Sequence, residues 1–283
     1  AKWDEFGSGL FVNSDYSIEF LIAIFKKFIW QVKRKTEGLY IPNALMPIIY
    51  GPQQLGKSYA IKKFLSPLGD LSAEIMGKVL GDGKTTSIYE MPVLFIDELG
   101  GLDKESPAVL KNILTGDKVN NRLMRTQMVS NTKIMCSFIG ATNVHVKNII
   151  KDETGMRRYI ELSLMNKTNH EVINNINYLD LWISVSPYDD DPTIGFEDEI
   201  KALQEDIRFK SSTEEFLTDD DIRKSYSKWT KSGVLYESYV LWCQSNGYRS
   251  MNRGNFCDGL KCNYARLGWK SRKNGNSLEY LVS

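Results

Sequence analysis

Apolar positions along this chain recur at two different periods. Between residues 15 and 35, Ile18, Leu21, Ile22, Phe25, Phe28, Ile29 and Val32 return every three or four positions. That is the spacing of a helix with a buried face. Its end, Lys33-Arg34-Lys35, places cations where the helix dipole is negative and is expected to be a solvated terminus. Elsewhere the apolar residues gather in short runs: 45–50, 93–96, 134–139 and 159–164. These read as buried strands, with helical stretches predicted between them at 57–65 and 106–114. Largely apolar strands that alternate with helices predict an α/β fold, a parallel sheet with helices on both faces.

The pattern changes after residue 188. Asp189-Asp190-Asp191-Pro192 opens an acidic segment with a helix-like stretch at 200–207, and Ser211-Ser212-Thr213 breaks it again. Helices are then expected around 219–230, 234–246 and 252–266, followed by a hairpin from Trp269 to Val282 that turns at Asn274-Gly275-Asn276. Three helices and a hairpin is the order of a winged helix. The expected layout is an N-terminal helical, collar-like segment (1–42), an α/β core (43–188), an acidic helical linker (189–218) and a C-terminal winged-helix domain (219–283).

Composition adds one thing to this picture. The 283 residues are 25% charged and 42% hydrophobic, which excludes a disordered or fibrous chain. The net charge of +1 hides blocks of +3 (1–188), −10 (189–221) and +8 (222–283), as expected of modules with different tasks. No run approaches the roughly 18 apolar residues of a membrane span, so no membrane partner and a cytoplasmic location are expected. Four cysteines in a chain this long form no disulfide framework. Cys257 and Cys262 lie near each other, but His145 and His170 are remote, so no zinc site is expected. The first residues do not resemble a signal peptide and lack an initiator Met, so the natural N-terminus is expected upstream.

The chemistry starts at Gly51-Pro52-Gln53-Gln54-Leu55-Gly56-Lys57-Ser58, which fits G-x-x-x-x-G-K-[ST] between a strand and a helix. Glycines let backbone N–H groups wrap phosphate oxygens, and the helix that follows points its N-terminus at the same anion. Lys57 is expected on the β- and γ-phosphates, Ser58 on Mg²⁺, and Tyr59 beside the loop, so ATP and Mg²⁺ are the implied ligands. Asp97-Glu98 ends the next long strand and can face the loop, Asp97 holding Mg²⁺ and Glu98 polarising the attacking water. Asn143, at another strand end, can orient that water without altering the charge. Arg157 and Arg158 begin a strand and are candidates for neutralising the transferring phosphate.

This order resembles the superfamily-3 helicases, a branch of the AAA+ ATPases. Gly140-Ala141-Thr142-Asn143 with Thr154-Gly155-Met156-Arg157-Arg158-Tyr159 resembles the virulence-associated-E and phage/plasmid primase-helicase group, including the replication initiator helicases of staphylococcal pathogenicity islands and cassette chromosomes. Leu235–Cys243 with Asn246-Gly247-Tyr248 resembles their C-terminal winged helix. The resemblance implies an ATP-driven homo-hexamer that initiates replication of a mobile or phage-like replicon. Such a ring holds single-stranded DNA in its pore, meets duplex at the fork or origin and moves 3′ to 5′. It places the arginine finger on Arg158, with Arg157 as its neighbour, and a DNA-gripping hairpin between Val119 and Lys133, with Arg122, Arg125 and Lys133 as its bases. Many members have two aspartates where this chain has Asp97-Glu98. In the winged helix, Phe256, Leu260 and Tyr264 form the buried stripe, which leaves Arg253, Lys261, Arg266, Lys270, Arg272 and Lys273 for DNA. The alternatives to a helicase are an ATPase that loads or remodels a replication protein, and an origin binder whose ATP site is a switch.

Overall fold

A computed structural model describes residues 2–12, 14–81, 86–102, 106–116, 118–122, 129–150, 156–208, 210–275 and 277–282, and of 81, 86, 120–122 and 129–131 the backbone alone. The chain divides into two compact units, Ala1–Phe209 and Lys210–Ser283. In the first, α1 (Lys2–Leu10) and α2 (Ile18–Glu37) precede β1 (Met46–Tyr50), α3 (Lys57–Leu65), β2 (Ser72–Ile75) and β3 (Val93–Asp97). Then come α4 (Ser106–Thr115), the hairpin β4 (Lys118–Arg122) and β5 (Val129–Lys133), β6 (Ser137–Thr142), α5 (Val146–Ile149) and β7 (Tyr159–Ser163). Helices α6 (His170–Asn175), α7 (Tyr178–Ile183) and α8 (Glu197–Asp206) complete the unit.

Five strands form one parallel sheet in the order β2-β3-β6-β1-β7. Successive strand residues point to opposite faces, and the core divides accordingly. Ile49, Phe95, Ile139 and Ile160 pack with α2 and α3, while Ile48, Ile96, Phe138 and Tyr159 pack with α4 and α5. The sheet is therefore covered on both faces, as the apolar runs predict. Both N-terminal helices share the first of these cores through Phe6, Leu10 and Phe28.

Several elements differ from the sequence reading. β6 begins at Ser137 rather than Ile134, because its register pairs Ser137 with Val93 and Gly140 with Ile48. Ile134 and Cys136 are buried outside the ladder. α1 and the edge strand β2 carry too little periodic signal to be foreseen. Lys33-Arg34-Lys35 is not a solvated end. Lys33 Nζ donates to the carbonyls of Trp182 and Val185, Arg34 to those of Tyr40 and Pro187, and Lys35 to that of Cys136. Irregular backbone must find donors somewhere, and these cations supply them.

The second unit contains α9 (Ser212–Thr218), α10 (Asp220–Ser225), β8 (Thr230–Lys231), α11 (Ser232–Ser245), α12 (Arg253–Asn263), β9 (Trp269–Asn274) and β10 (Ser277–Val282). Its sheet is antiparallel in the order β8-β10-β9. Phe216, Leu217, Leu235, Tyr239, Phe256, Leu260, Trp269 and Tyr280 form its core. The stretch expected as one acidic linker, 189–218, is shared between the units, because α9 carries Phe216 and Leu217 into the second core. Among the described residues no helix is long and apolar enough to cross a membrane.

Candidate active site

Three neighbouring strands bring the site together. The register sets Tyr50 of β1 opposite Thr142 of β6, and Asp97 of β3 opposite Ala141 of β6. Gly51 N donates to Thr142 O (3.1 Å) and Glu98 N to Ala141 O (3.1 Å), so the ladder continues one step past the strand ends. Gly51, Asn143 and Glu98 each leave the sheet at the same edge, because parallel strands share their carboxyl ends.

The loop 51–56 has room only for glycine at both ends. A Cβ on Gly51 would collide with the Leu164 carbonyl, and one on Gly56 with the Thr168 hydroxyl. Gly56 also sits at φ 94°, a conformation that disfavours other residues. The segment after β7 backs this loop, with Thr168 N donating to Leu55 O at 2.9 Å. Nothing in the sequence singles out Thr168, because only the fold carries it there.

Lys57 opens α3 and is buried. Its Nζ donates to the carbonyls of Gly51 and Pro52, both at 2.7 Å. Burial pushes its pKa down, and the charges of Glu98 and Asp97 oppose that shift. Ser58 Oγ donates to Asp97 Oδ1 at 2.6 Å. Tyr59 turns its hydroxyl to Asn174 of α6, and its ring lies 4.7 Å from that of His170. Pro52, Gln53 and Gln54 are exposed, with Leu55 half-buried behind them. Glu98 is exposed at φ 72°, a rare backbone state for a residue with a side chain and one that clusters at functional sites.

Arg157 and Arg158 are elsewhere. They precede β7 and so lie at the amino edge of the sheet, a strand length of roughly 16 Å from the loop edge. Arg157 is exposed and its carbonyl accepts from Gln204 Nε2 at 2.7 Å; Arg158 is half-buried. Both line a cavity of about 910 Å³ with Lys35, Lys133 and Lys201. One chain thus brings together Lys57, Ser58, Asp97, Glu98 and Asn143, but not the two arginines.

The bases expected on DNA have mixed positions. In the β4–β5 hairpin, exposed Lys133 pairs with Lys118 at the base and Arg122 ends β4, while Arg125 lies outside the described residues. In the second unit, Arg253, Lys270 and Lys273 are exposed. Lys261 forms an exposed ion pair with Asp258 at 3.1 Å. Arg266 and Arg272 have buried carboxylate partners within their own unit. Arg266 pairs with buried Glu214 at 2.9 Å, and Arg272 pairs with buried Glu279 at 2.7 Å and lies over the Trp229 ring. A carboxylate removed from water needs a partner. The Arg272 and Asn274 hydrogen bonds hold the Glu279 carboxyl below the usual range.

Residues 17–208 match the family model of the virulence-associated protein E-like domain, and residues 189–282 that of the poxvirus D5 protein-like family. No curated protein matches the sequence significantly. Among solved structures, an A-form apo structure of the NrS-1 C-terminal region aligns with a TM-score of 0.56 at 15% identity, covering 98% of this chain and 73% of that one. A second A-form apo structure of that region gives a TM-score of 0.57 at 13% identity, covering 98% and 74%. At such identities the likeness concerns the fold.

Proposed function

The chain belongs to the virulence-associated protein E-like family, and from that premise we propose that it is an ATP-dependent DNA helicase acting in the initiation of replication. In this reading it is a superfamily-3 member of the AAA+ ATPases, works in the cytoplasm and serves a mobile or phage-like replicon. One observation carries the proposal. At a single sheet edge, a loop that admits only glycine at its ends meets Lys57 and a Ser58–Asp97 hydrogen bond, with Glu98 and Asn143 on adjoining strands.

The residues fit a magnesium nucleotide. Ser58 and Asp97 are hard oxygen donors already within 2.6 Å of each other, suited to a small hard cation. Bound there, Mg²⁺ supplies charge neutralisation on the phosphates. Lys57, held by two carbonyls of its own loop, can exchange them for phosphate oxygens, which attract an ammonium more strongly. Glu98 orients and polarises the attacking water, and Asn143 holds it with a neutral amide.

Arg158, with Arg157 beside it, serves the nucleotide of a neighbouring subunit, since its own loop lies across the sheet. That arrangement calls for a ring, a homo-hexamer by resemblance, with the β4–β5 hairpin and Lys133 toward single-stranded DNA. The second unit, with its helices, short β8 and β9–β10 hairpin, is read as a winged helix on duplex DNA. Polarity, 3′ to 5′, rests on resemblance.

Two variants test the site. Lys57→Ala should lose nucleotide binding, because Lys57 contacts phosphate in the ground state. Glu98→Gln should bind ATP yet hardly hydrolyse it, because Glu98 acts when water attacks. Binding is read by nucleotide titration and turnover by phosphate release. Hydrolysis by Glu98→Gln near the wild-type rate would remove its assigned role. Strand displacement on a forked duplex tests the helicase itself, and ATP turnover without displacement would leave the protein-remodelling ATPase.

A further inference from the structure

Glu161 is an acid in the middle of β7, 4% exposed, on a strand otherwise read as apolar. We infer that Glu161 and His145 are a positioning pair that clamps the Asn143 turn against the phosphate loop and thereby sets the rate of hydrolysis. The inference rests on the ATPase reading above.

Both carboxylate oxygens are engaged. Oε1 lies 2.7 Å from His145 Nδ1, and Oε2 accepts the backbone N–H of Val146 at 2.7 Å. A carboxylate only accepts, so Nδ1 carries the proton and the ring orientation is fixed. The imidazole stacks on Tyr50, with centroids 3.8 Å apart and planes 27° off parallel. Tyr50 is the last residue of β1, immediately before Gly51. From β7, Glu161 therefore grips the residues two and three past Asn143, and through the ring presses them on the strand that launches the loop.

The other side of the turn is closed as well. Thr142 Oγ1 accepts from Val144 N at 3.0 Å and donates to Val144 O at 2.9 Å. Asn143 thus sits between two pinned neighbours. The face alternation requires this arrangement: Tyr50 and Glu161 lie on the same face as α5, because Ile48 pairs with Glu161 and β1 alternates from there. His145 and Glu161 are placed to act through Asn143 rather than on nucleotide. A misplacement of about 1 Å in a group that orients the attacking water costs on the order of a hundredfold in rate.

The experiment uses the whole chain with ATP and single-stranded DNA. It measures kcat, KM and nucleotide Kd for wild type, Asn143→Ala, His145→Ala, Glu161→Gln and the double variant Asn143→Ala/His145→Ala. His145 is 42% exposed at its side chain, so its truncation opens no core cavity, although one oxygen of buried Glu161 loses its partner. A thermal melt of each variant verifies folding. His145→Ala should lower kcat about ten- to a hundredfold, with Kd and KM within about twofold of wild type, as expected of an effect confined to the transition state. Glu161→Gln, which keeps an acceptor oxygen for one partner, should lose less. The double variant should be no slower than Asn143→Ala, because neighbours acting through one group are not additive. Independent losses in the double variant, or wild-type kcat in folded His145→Ala, would overturn the pair while leaving the ATPase reading intact. A fully active Asn143→Ala would overturn the pair together with the role of Asn143, and a wild-type chain without ATP turnover would overturn the ATPase reading itself.

Discussion

Two buried lysines differ in the partners that hold them. Lys27, 1% exposed in α2, donates to the Pro42 carbonyl and to Asp191. Burial pushes its pKa down while Asp191 opposes the shift. Lys57 donates to two loop carbonyls, partners that a phosphate can replace. For Asp191, burial acts upward, but the hydrogen bonds from Lys27 and Thr193 win and hold the carboxyl below its ordinary 3.8. A lowered carboxyl contributes stability above the unfolded value that is lost as pH falls through the folded one. Asp191→Asn should destabilise the first unit at pH 7 by about 3–5 kcal/mol, since it leaves a buried ammonium uncompensated. The gap to wild type should narrow as pH is lowered below 3.8. Denaturant midpoints of both proteins across pH 2–7 check this, and a constant gap would remove Asp191 as the cause.

Among the elements, α9 decides where an independent C-terminal fragment begins. Phe216 is fully buried and packs against Tyr239, Trp242 and Phe256. A fragment starting at 219 loses Phe216 and Leu217, a core deletion worth about 3–5 kcal/mol for the phenylalanine alone. Fragment 210–283 should therefore melt cooperatively, and fragment 219–283 should not, as read by circular dichroism. If the folded fragment is a DNA clamp, its affinity should fall steeply with salt. Lys270→Glu and Lys273→Glu should weaken binding without loss of stability, because both lysines are exposed. Arg266→Glu should instead destabilise the fold by facing buried Glu214 with a like charge. Binding that ignores both lysine reversals would leave this unit a packing or protein-contact role.

For the whole molecule, the decisive distance is the length of the strands between the two edges of the sheet. Lys57 follows β1 and Arg158 precedes β7, at opposite ends of adjacent parallel strands. An assembly with a shared site follows only if each copy offers one edge to its neighbour. Arg158→Ala should keep nucleotide affinity and lower hydrolysis by about three orders of magnitude or more. Mixing Arg158→Ala with Lys57→Ala chains should restore part of the activity, because some interfaces then pair an intact loop with an intact arginine. The check is phosphate release from mixtures whose co-assembly is verified by light scattering or microscopy. No rescue in verified mixed assemblies would rule out a site shared between copies.

Sequence alone determined what depends on neighbours along the chain. The apolar runs at 45–50, 93–96 and 159–164 became β1, β3 and β7, because unbroken hydrophobicity needs cover on both faces. The spacing around Gly51, Gly56 and Lys57 predicted a tight strand-to-helix loop that needs glycine at both ends, and a Cβ would collide at each of them, because such constraints are local. Only the tertiary structure decided the strand order that inserts β6 between β1 and β3, carrying Asn143 between the loop and Glu98. It also assigned partners to charges that composition can merely count: Arg266 to Glu214, Arg272 to Glu279, and Lys33 to the carbonyls of a distant segment. Glu161 and His145 had no sequence signal because they meet across 16 residues through a sheet face, and Thr168 reaches Gly56 only after β7 has joined β1. Local propensity and spacing are written in consecutive residues, whereas the pairing of a buried polar group is settled by whichever element the fold packs against it.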